Sequence, residues 1–172
     1  MRRAIVIGGS ISGLFAALLL MRRGWQVAVY ERAEAELTGR GAGIVAQPIL
    51  GRVLQEAGIE DAGHLGVVVA TRRLLNRSGR VTAEIDCPQT LTSWDRLRRL
   101  LRTRLPDEHY HRGHELTGIE LADDGVAVHF SNASKAKADL LVGADGIRST
   151  VRARILPDHQ LSYQRSDRKS VV

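Results

Sequence analysis

The chain has 172 residues, 44% of them hydrophobic, and a formal net charge of +6 at pH 7. That length suits one domain able to bury a core, no run of eighteen apolar residues offers a membrane span, and the single cysteine, Cys87, excludes an internal disulfide. The arginines are spread through predicted helices (Arg22, Arg23, Arg98, Arg99, Arg102, Arg104) without aromatic interleaving, so solvated helix faces are expected rather than a nucleic-acid surface.

Ala4-Ile5-Val6-Ile7 is a short apolar run ending in Gly8-Gly9-Ser10-Ile11-Ser12-Gly13. With a strand expected from the first residues, no signal peptide is expected, and the lone cysteine leads to the expectation of a cytoplasmic setting. Leu14 to Arg23 reads as a helix, and Val27-Ala28-Val29-Tyr30 as a second strand ending on Glu31-Arg32. Strand, glycine turn, helix, strand and acid, in that order, are what a dinucleotide-binding βαβ unit requires. Gly8 allows the sharp turn, Gly13 close packing of helix on sheet, and the helix N-terminus offers free N–H groups to a pyrophosphate. Glu31, about twenty residues on, can accept hydrogen bonds from ribose hydroxyls. The middle glycine is replaced by Ser10. The alternative is an ordinary βαβ unit with a glycine-rich turn and no ligand.

Thr38 to Ile44 holds Gly39, Gly41 and Gly43, which predicts a loop: either a second backbone contact with the same nucleotide or a flexible connector. Pro48 to Ala57 has helical spacing and stops at Gly58. Val67–Ala70 and Arg72–Asn76 look extended, Arg77–Arg80 is a turn, and Val81–Ile85 is the returning strand. Ser93-Trp94-Asp95-Arg96 opens a helix with Leu97, Leu100, Leu101 and Leu105 as its apolar positions, ended by Pro106-Asp107. Glu115–Leu121 and Val126–Phe130 alternate as a hairpin about Ala122–Gly125, and Ser131–Lys137 reads as a polar turn. Ala138–Val142 is a buried-looking strand leading into Gly143-Ala144-Asp145-Gly146, and Ser149 caps a helix to about Leu156. No histidine has metal-ligand spacing; His109 and His111 are expected as a solvated pair.

The two separated motifs together, Gly8–Gly13 with Val29-Tyr30-Glu31-Arg32, and Leu141-Val142-Gly143-Ala144-Asp145-Gly146-Ile147-Arg148-Ser149-Thr150-Val151-Arg152, resemble the FAD-dependent aromatic hydroxylases of the para-hydroxybenzoate hydroxylase type. Ser10 and the Thr92-Ser93-Trp94-Asp95 helix start look most like the 2,6-dihydroxypyridine 3-monooxygenase branch. The resemblance covers about residues 2 to 163. It implies that Gly8, Gly9, Ser10, Ser12 and Gly13 hold the FAD pyrophosphate and Glu31 the adenosine ribose, with Arg32 beside it. Arg40, Gly41, Ala42, Gly43 and Ile44 would approach the flavin. Asp145 and Gly146 would close on the cofactor and are implicated in nicotinamide nucleotide binding, although a tight turn with a helix cap explains them equally well. Trp94 stands where many members carry an arginine.

The resemblance further implies NADH or NADPH as reductant, with O2 and a small aromatic substrate. No residue is assigned as catalytic, because the third family motif and most of the substrate-covering sheet fall beyond the chain. The fold class expected is α/β: a Rossmann-like FAD-binding βαβ in a mainly parallel sheet (3–8, 26–31, 138–143) with an antiparallel meander at 115–130. Residues 45–92 would reach into a substrate-side layer. Residues 1–165 are then an incomplete FAD-binding domain. Residues 166–172, where Asp-Arg-Lys-Ser-Val-Val is what one frame of a common sequencing adapter encodes, are expected to be a non-native tail. An NAD-dependent dehydrogenase and a non-catalytic nucleotide-binding fragment are the alternatives. Oligomeric state is not readable.

Overall fold

The computed structural model describes residues 1–39, 42–60 and 65–159. Arg40, Gly41, His64, the extended segment expected from Leu161 and the 166–172 tail lie outside them. In chain order the elements are β1 (Arg3–Ile7), α1 (Ile11–Arg22), β2 (Gln26–Tyr30), β3 (Gly43–Ala46), α2 (Pro48–Glu56), β4 (Val67–Leu75), β5 (Val81–Ser93) and α3 (Trp94–Arg102). A single 3-10 turn (Asp107–His109) then leads to β6 (Tyr110–His111), β7 (Leu116–Ala122), β8 (Gly125–Phe130), β9 (Lys135–Ala138), β10 (Leu140–Gly143) and α4 (Thr150–Ile155).

A four-stranded sheet, ordered β10-β1-β2-β6, is parallel throughout. Side-chain alternation divides β1 between two cores. Ala4 and Val6, with Val27 and Val29 of β2, pack against Leu14, Ala17 and Leu18 of α1 and Leu97, Leu101 and Leu105 in and beyond α3. Ile5 and Ile7 face the other way, against Leu116, Val126, Val128, Phe130, Ala138 and Val151. A strand covered on both faces must be apolar at every position, which is why residues 4–7 read as an unbroken run rather than an alternation. The second core lies under a three-stranded antiparallel sheet, β7-β8-β9. A third sheet, ordered β3-β5-β4, stands apart from the parallel one.

The expected fold class is present, with local differences. Helix α1 begins at Ile11 rather than Leu14, because Ser10 already takes the extended N-cap conformation. Gly43 and Ile44, expected in a loop, begin a strand paired to Ser93 and Thr92. The two extended pieces at 67–76 form one strand with a register shift between Val69 and Thr71. The returning strand does not stop at Ile85 but runs to Ser93. Pro88 is accommodated there because Val69 pairs with Gln89 and Thr71 with Asp86, which leaves Cys87 and Pro88 bulged opposite Ala70. Lys135–Lys137, expected in a turn, belong to β9, which pairs with β8. Asp139 then separates β9 from β10, its backbone N–H donating to the Arg3 carbonyl (2.9 Å) and its carboxylate accepting from the Arg3 N–H (2.6 Å). Two-residue β6 carries no sequence signal, since no periodicity exists in a pair.

Strand β4 is an edge, and Val67 and Val68 on it are 69% and 75% exposed. An exposed apolar edge is a template for pairing with another chain. The expected outcome is self-association of the 172-residue chain as concentration rises, read by light scattering, and its suppression by Val68→Lys. A mass that stays monomeric at every concentration would overturn this.

Candidate functional site

The polypeptide leaves β1 for β2 on one side and returns as β10 on the other, so the strand order reverses at β1 and a crevice opens beyond the strand C-termini. Gly8 spans it with φ +106°, its N–H donating to the Tyr30 carbonyl (2.8 Å), while the Ala144 N–H donates to the Ile7 carbonyl (2.7 Å). A Cβ at Gly8 would lie 2.3 Å from the Ala144 oxygen, and one at Gly13 1.8 Å from the Gly8 oxygen. Both glycines are therefore required, for the turn and for close helix packing, as the motif predicts. Ser10 sits at φ −86°, ψ −171°, ordinary extended backbone, so a side chain there brings no backbone strain.

Glu31 is buried, 7% exposed, at the end of β2. Its Oε2 accepts from the Gly9 N–H (2.8 Å) and its Oε1 from the Ala33 N–H (3.0 Å). A carboxylate has about four acceptor positions, so capacity remains for ligand hydroxyls. Asp145 accepts from the Ser149 hydroxyl (2.6 Å) and from the N–H groups of Thr150 (2.6 Å) and Val151 (3.1 Å), so its carboxylate starts α4. Ser149 caps the same helix by accepting from the Arg152 N–H (2.9 Å). The helix-cap explanation of Asp145 is thus realised, with Gly146 (φ +82°) completing the turn.

These segments converge on one cleft of about 170 Å³, lined by Gly8, Ser10, Glu31, Arg32, Asp145 and Gly146 among the expected residues. Gly9 and Gly13 support it from behind, whereas Ser12 is exposed on the first turn of α1. Ala42, Gly43 and Ile44 are not among the lining residues; Ala42 accepts from the Trp94 N–H (3.1 Å), and the next two enter β3. Arg40 and Gly41 are outside the described residues.

The cleft is also lined by Trp94, singled out in the sequence only as a departure from the family arginine, by Tyr30 and Arg148, quoted within the motifs but given no role in the site, and by His114, which carried no sequence signal. Tyr30 stacks on Phe130 (centroids 4.5 Å apart) and on His111 (4.8 Å), and His114 meets Phe130 edge-on at 5.2 Å. Burial pushes the Tyr30 phenol up and, with His114 and His109 nearby, the His111 imidazole down. His111 is therefore a ring in a stack, and His109 Nδ1 is bonded to the Val27 carbonyl at 2.7 Å. The expected solvated pair is not found.

The expectation of solvated arginines also fails at Arg98, which is 1% exposed and lies behind the glycine turn. Its Nη1 pairs with Glu36 at 2.5 Å, while Nε and Nη2 make no hydrogen bond among the described residues. Arg98 lies four residues after Trp94 and three before Leu101, at the flank of the apolar face of α3, and only its charge argued for solvent.

Fold and site together define a dinucleotide-binding α/β domain. The model of a family described as FAD binding domain matches residues 2–164, and the chain belongs to that family. It is 37% identical to a 2,6-dihydroxypyridine 3-monooxygenase of Paenarthrobacter nicotinovorans over 90% of this chain and 39% of the relative. To a 3-amino-4-hydroxybenzoate 2-monooxygenase of Streptomyces cremeus it is 33% identical, over 91% of this chain and 42% of the relative. The solved 2,6-dihydroxypyridine-3-hydroxylase of Arthrobacter nicotinovorans superposes with a TM-score of 0.81, covering 91% of this chain and 40% of that one. Klebsiella pneumoniae HpxO, solved with FAD and uric acid, gives 0.73 at 27% identity, over 88% of this chain and 41% of that one. The chain therefore spans about two fifths of the length of these relatives.

Gly13→Ala is expected to cost about 1–3 kcal/mol, because the methyl meets backbone that cannot retreat; urea unfolding reads it. Asp145→Ala removes a helix start and is expected to cost about 1 kcal/mol in the same measurement.

The Arg98 hydrogen bond and charge, opposed by burial, hold the Glu36 carboxyl below its usual range. A depressed folded-state pKa means the pair's stabilisation is present above about pH 4.3, the ordinary glutamate value, and lost as pH falls through the lowered one. Glu36→Gln is expected to flatten that part of the Tm–pH curve, and an unchanged acid slope would refute it.

Proposed function

We propose that this chain is the FAD-binding portion of a flavin-dependent monooxygenase that hydroxylates a small aromatic or N-heteroaromatic ring, using NADH or NADPH and O2. The observation that carries the reading is the convergence of the Gly8–Ser10 turn, the Glu31 carboxylate and the Ala144–Gly146 turn on one cleft. The donor set fits the cofactor. Helix α1 has no acid in its first turn and Ser10 makes no side-chain cap, so the first N–H groups of the helix are left for a ligand beside the cleft.

In this reading Ser10, with the first N–H groups of α1 including that of Ser12, holds the pyrophosphate on the turn that Gly8, Gly9 and Gly13 permit. Glu31 accepts from ribose hydroxyls, and Arg32 lies alongside. Arg40, Gly41, Ala42, Gly43 and Ile44 form the flavin-side approach, and Asp145 and Gly146 present the backbone that closes the far wall. Bound FAD would supply the redox chemistry, taking electrons from the nicotinamide nucleotide and activating O2. The residues of this chain bind it, orient it and exclude water.

The relatives named as monooxygenases support this reading, and the FAD-binding family supports a resident flavin over the dehydrogenase alternative. The sheet β3-β5-β4 is assigned to the substrate-side layer, and residues 166–172 to a non-native tail.

The test is the absorbance spectrum of the purified chain refolded with FAD, before and after denaturation. Flavin bands that are retained and then released as FAD are expected; a colourless protein, both as this chain and when extended past Tyr163, would refute the proposal. Glu31→Gln is expected to weaken FAD binding about tenfold, the effect of losing charge-assisted hydrogen bonds, measured by flavin fluorescence titration.

A further inference from the structure

We propose that Tyr110 is a positioning residue that aims the Ser10 N–H into the nucleotide cleft by holding the Gly9 carbonyl from behind. The inference rests on the nucleotide-site reading above and adds to it a residue no part of the glycine motif contains.

The Tyr110 hydroxyl donates to the Gly9 carbonyl at 3.0 Å, and both groups are buried. The two residues are closely fitted: a Cβ on Gly9 would lie 2.1 Å from that hydroxyl oxygen and 2.6 Å from the ring carbon bearing it. Gly9 is thus required because Tyr110 occupies the space a side chain would take.

A trans peptide points its C=O and N–H in opposite directions, and the described residues contain no cis bond. The peptide between Gly8 and Gly9 is bonded at its N–H and closely packed at its oxygen. Its N–H is held by Glu31 at 2.8 Å, and its oxygen abuts the place where a Gly13 Cβ would be, at 1.8 Å. For the next peptide, between Gly9 and Ser10, only the oxygen is held among the described residues, by Tyr110. The Ser10 N–H therefore points away from Tyr110. Ser10 lines the cleft and Tyr110 does not, so that N–H points toward the ligand side.

Tyr110 is itself held firmly. Its ring lies under the Arg102 guanidinium, 4.4 Å from the centroid, and Arg102 is fixed by Asp107 (2.5 Å) and the Leu105 carbonyl (2.7 Å). The buried Arg98 charge borders the hydroxyl. Burial pushes the phenol up from its ordinary value despite that neighbour, so the hydroxyl keeps its proton and remains a donor. Strand β6, two residues long, exists in the parallel sheet at the place that delivers this one side chain.

The test uses the 172-residue chain with Tyr110→Phe, and ADP and adenosine as calorimetric probes. Both probes engage the ribose and base contacts; only ADP carries the pyrophosphate. Losing one hydrogen bond, about 1 kcal/mol, corresponds to roughly a fivefold effect. ADP affinity is expected to fall about fivefold while adenosine affinity is unchanged. Equal ADP affinity in the two proteins would overturn the inference, as would an equal fall for both probes, the signature of a merely structural residue. A wild-type chain that binds neither ADP nor FAD would instead overturn the nucleotide-site reading itself.

Were Tyr110→Phe to lose the far-UV signature of the fold, the wild-type amide of Ser10 carries the test. Its proton resonance is expected to move downfield with ADP and to stay in place with adenosine. No movement with ADP would refute the proposal.

Discussion

Glu31 is the residue on which the arrangement depends, because it ties together three segments that are far apart in sequence. Its carboxylate holds the Gly9 and Ala33 N–H groups, its backbone N–H donates to the His111 carbonyl (2.8 Å), and its carbonyl accepts from the His114 N–H (3.0 Å). One buried acid thus fixes the glycine turn, the chain leaving β2 and the corner between β6 and β7. Taking a carboxylate out of water is costly unless its charge is met by donors. The two N–H groups meet it, and the same bonds orient the turn. A neutral isostere would keep the shape and lose the charge-assisted part of those bonds.

Behind the turn the charges are arranged differently. Arg98 is buried against Glu36, which is half-exposed, so the pair contributes less than its 2.5 Å separation suggests. Among the described residues Nε and Nη2 meet no acceptor in hydrogen-bond geometry, and the Tyr110 hydroxyl lies beside the guanidinium. What Arg98 does accomplish is to place a fixed positive charge beside Tyr110 and, through Glu36, to connect α3 with the segment that follows β2. Arg112 joins the same carboxylate at 3.2 Å from the β6–β7 corner. Stability and site geometry therefore share one polar cluster.

The sequence disclosed the parts whose physics is local. The βαβ unit, the turn glycines, the Ser93 and Ser149 caps and the β7–β8 hairpin each announce themselves within a few residues, and each is present. The parts that escaped depend on partners distant in the chain. Tyr110 and His111 become a strand only because β2 offers a free edge, and the roles of Gly9, Tyr110 and Arg98 follow from that placement. The strand expected to end at Ile85 runs on to Ser93 past a bulge at Cys87 and Pro88, a tertiary solution no propensity encodes. Arg98 read as solvent-facing because charge is normally exposed, yet it lies at the flank of the apolar face of α3 and is buried.

The long excursion between β2 and β10 also has a structural logic. A first βαβ unit provides the glycine turn and the acid but leaves one side of β1 unpaired and the crevice open. β10 takes that edge, with Ala4 to Ile7 in register with Leu140 to Gly143, and the residues that follow it form the far wall of the cleft at Ala144–Gly146. Close approach of that wall is possible because Gly8 has no side chain: the Ala144 oxygen occupies its place. The glycine that lets the chain turn out of β1 is therefore the same one that admits the returning segment. Two motifs separated by more than a hundred residues are coupled through a single missing Cβ, so neither half of the cleft has its shape without the other.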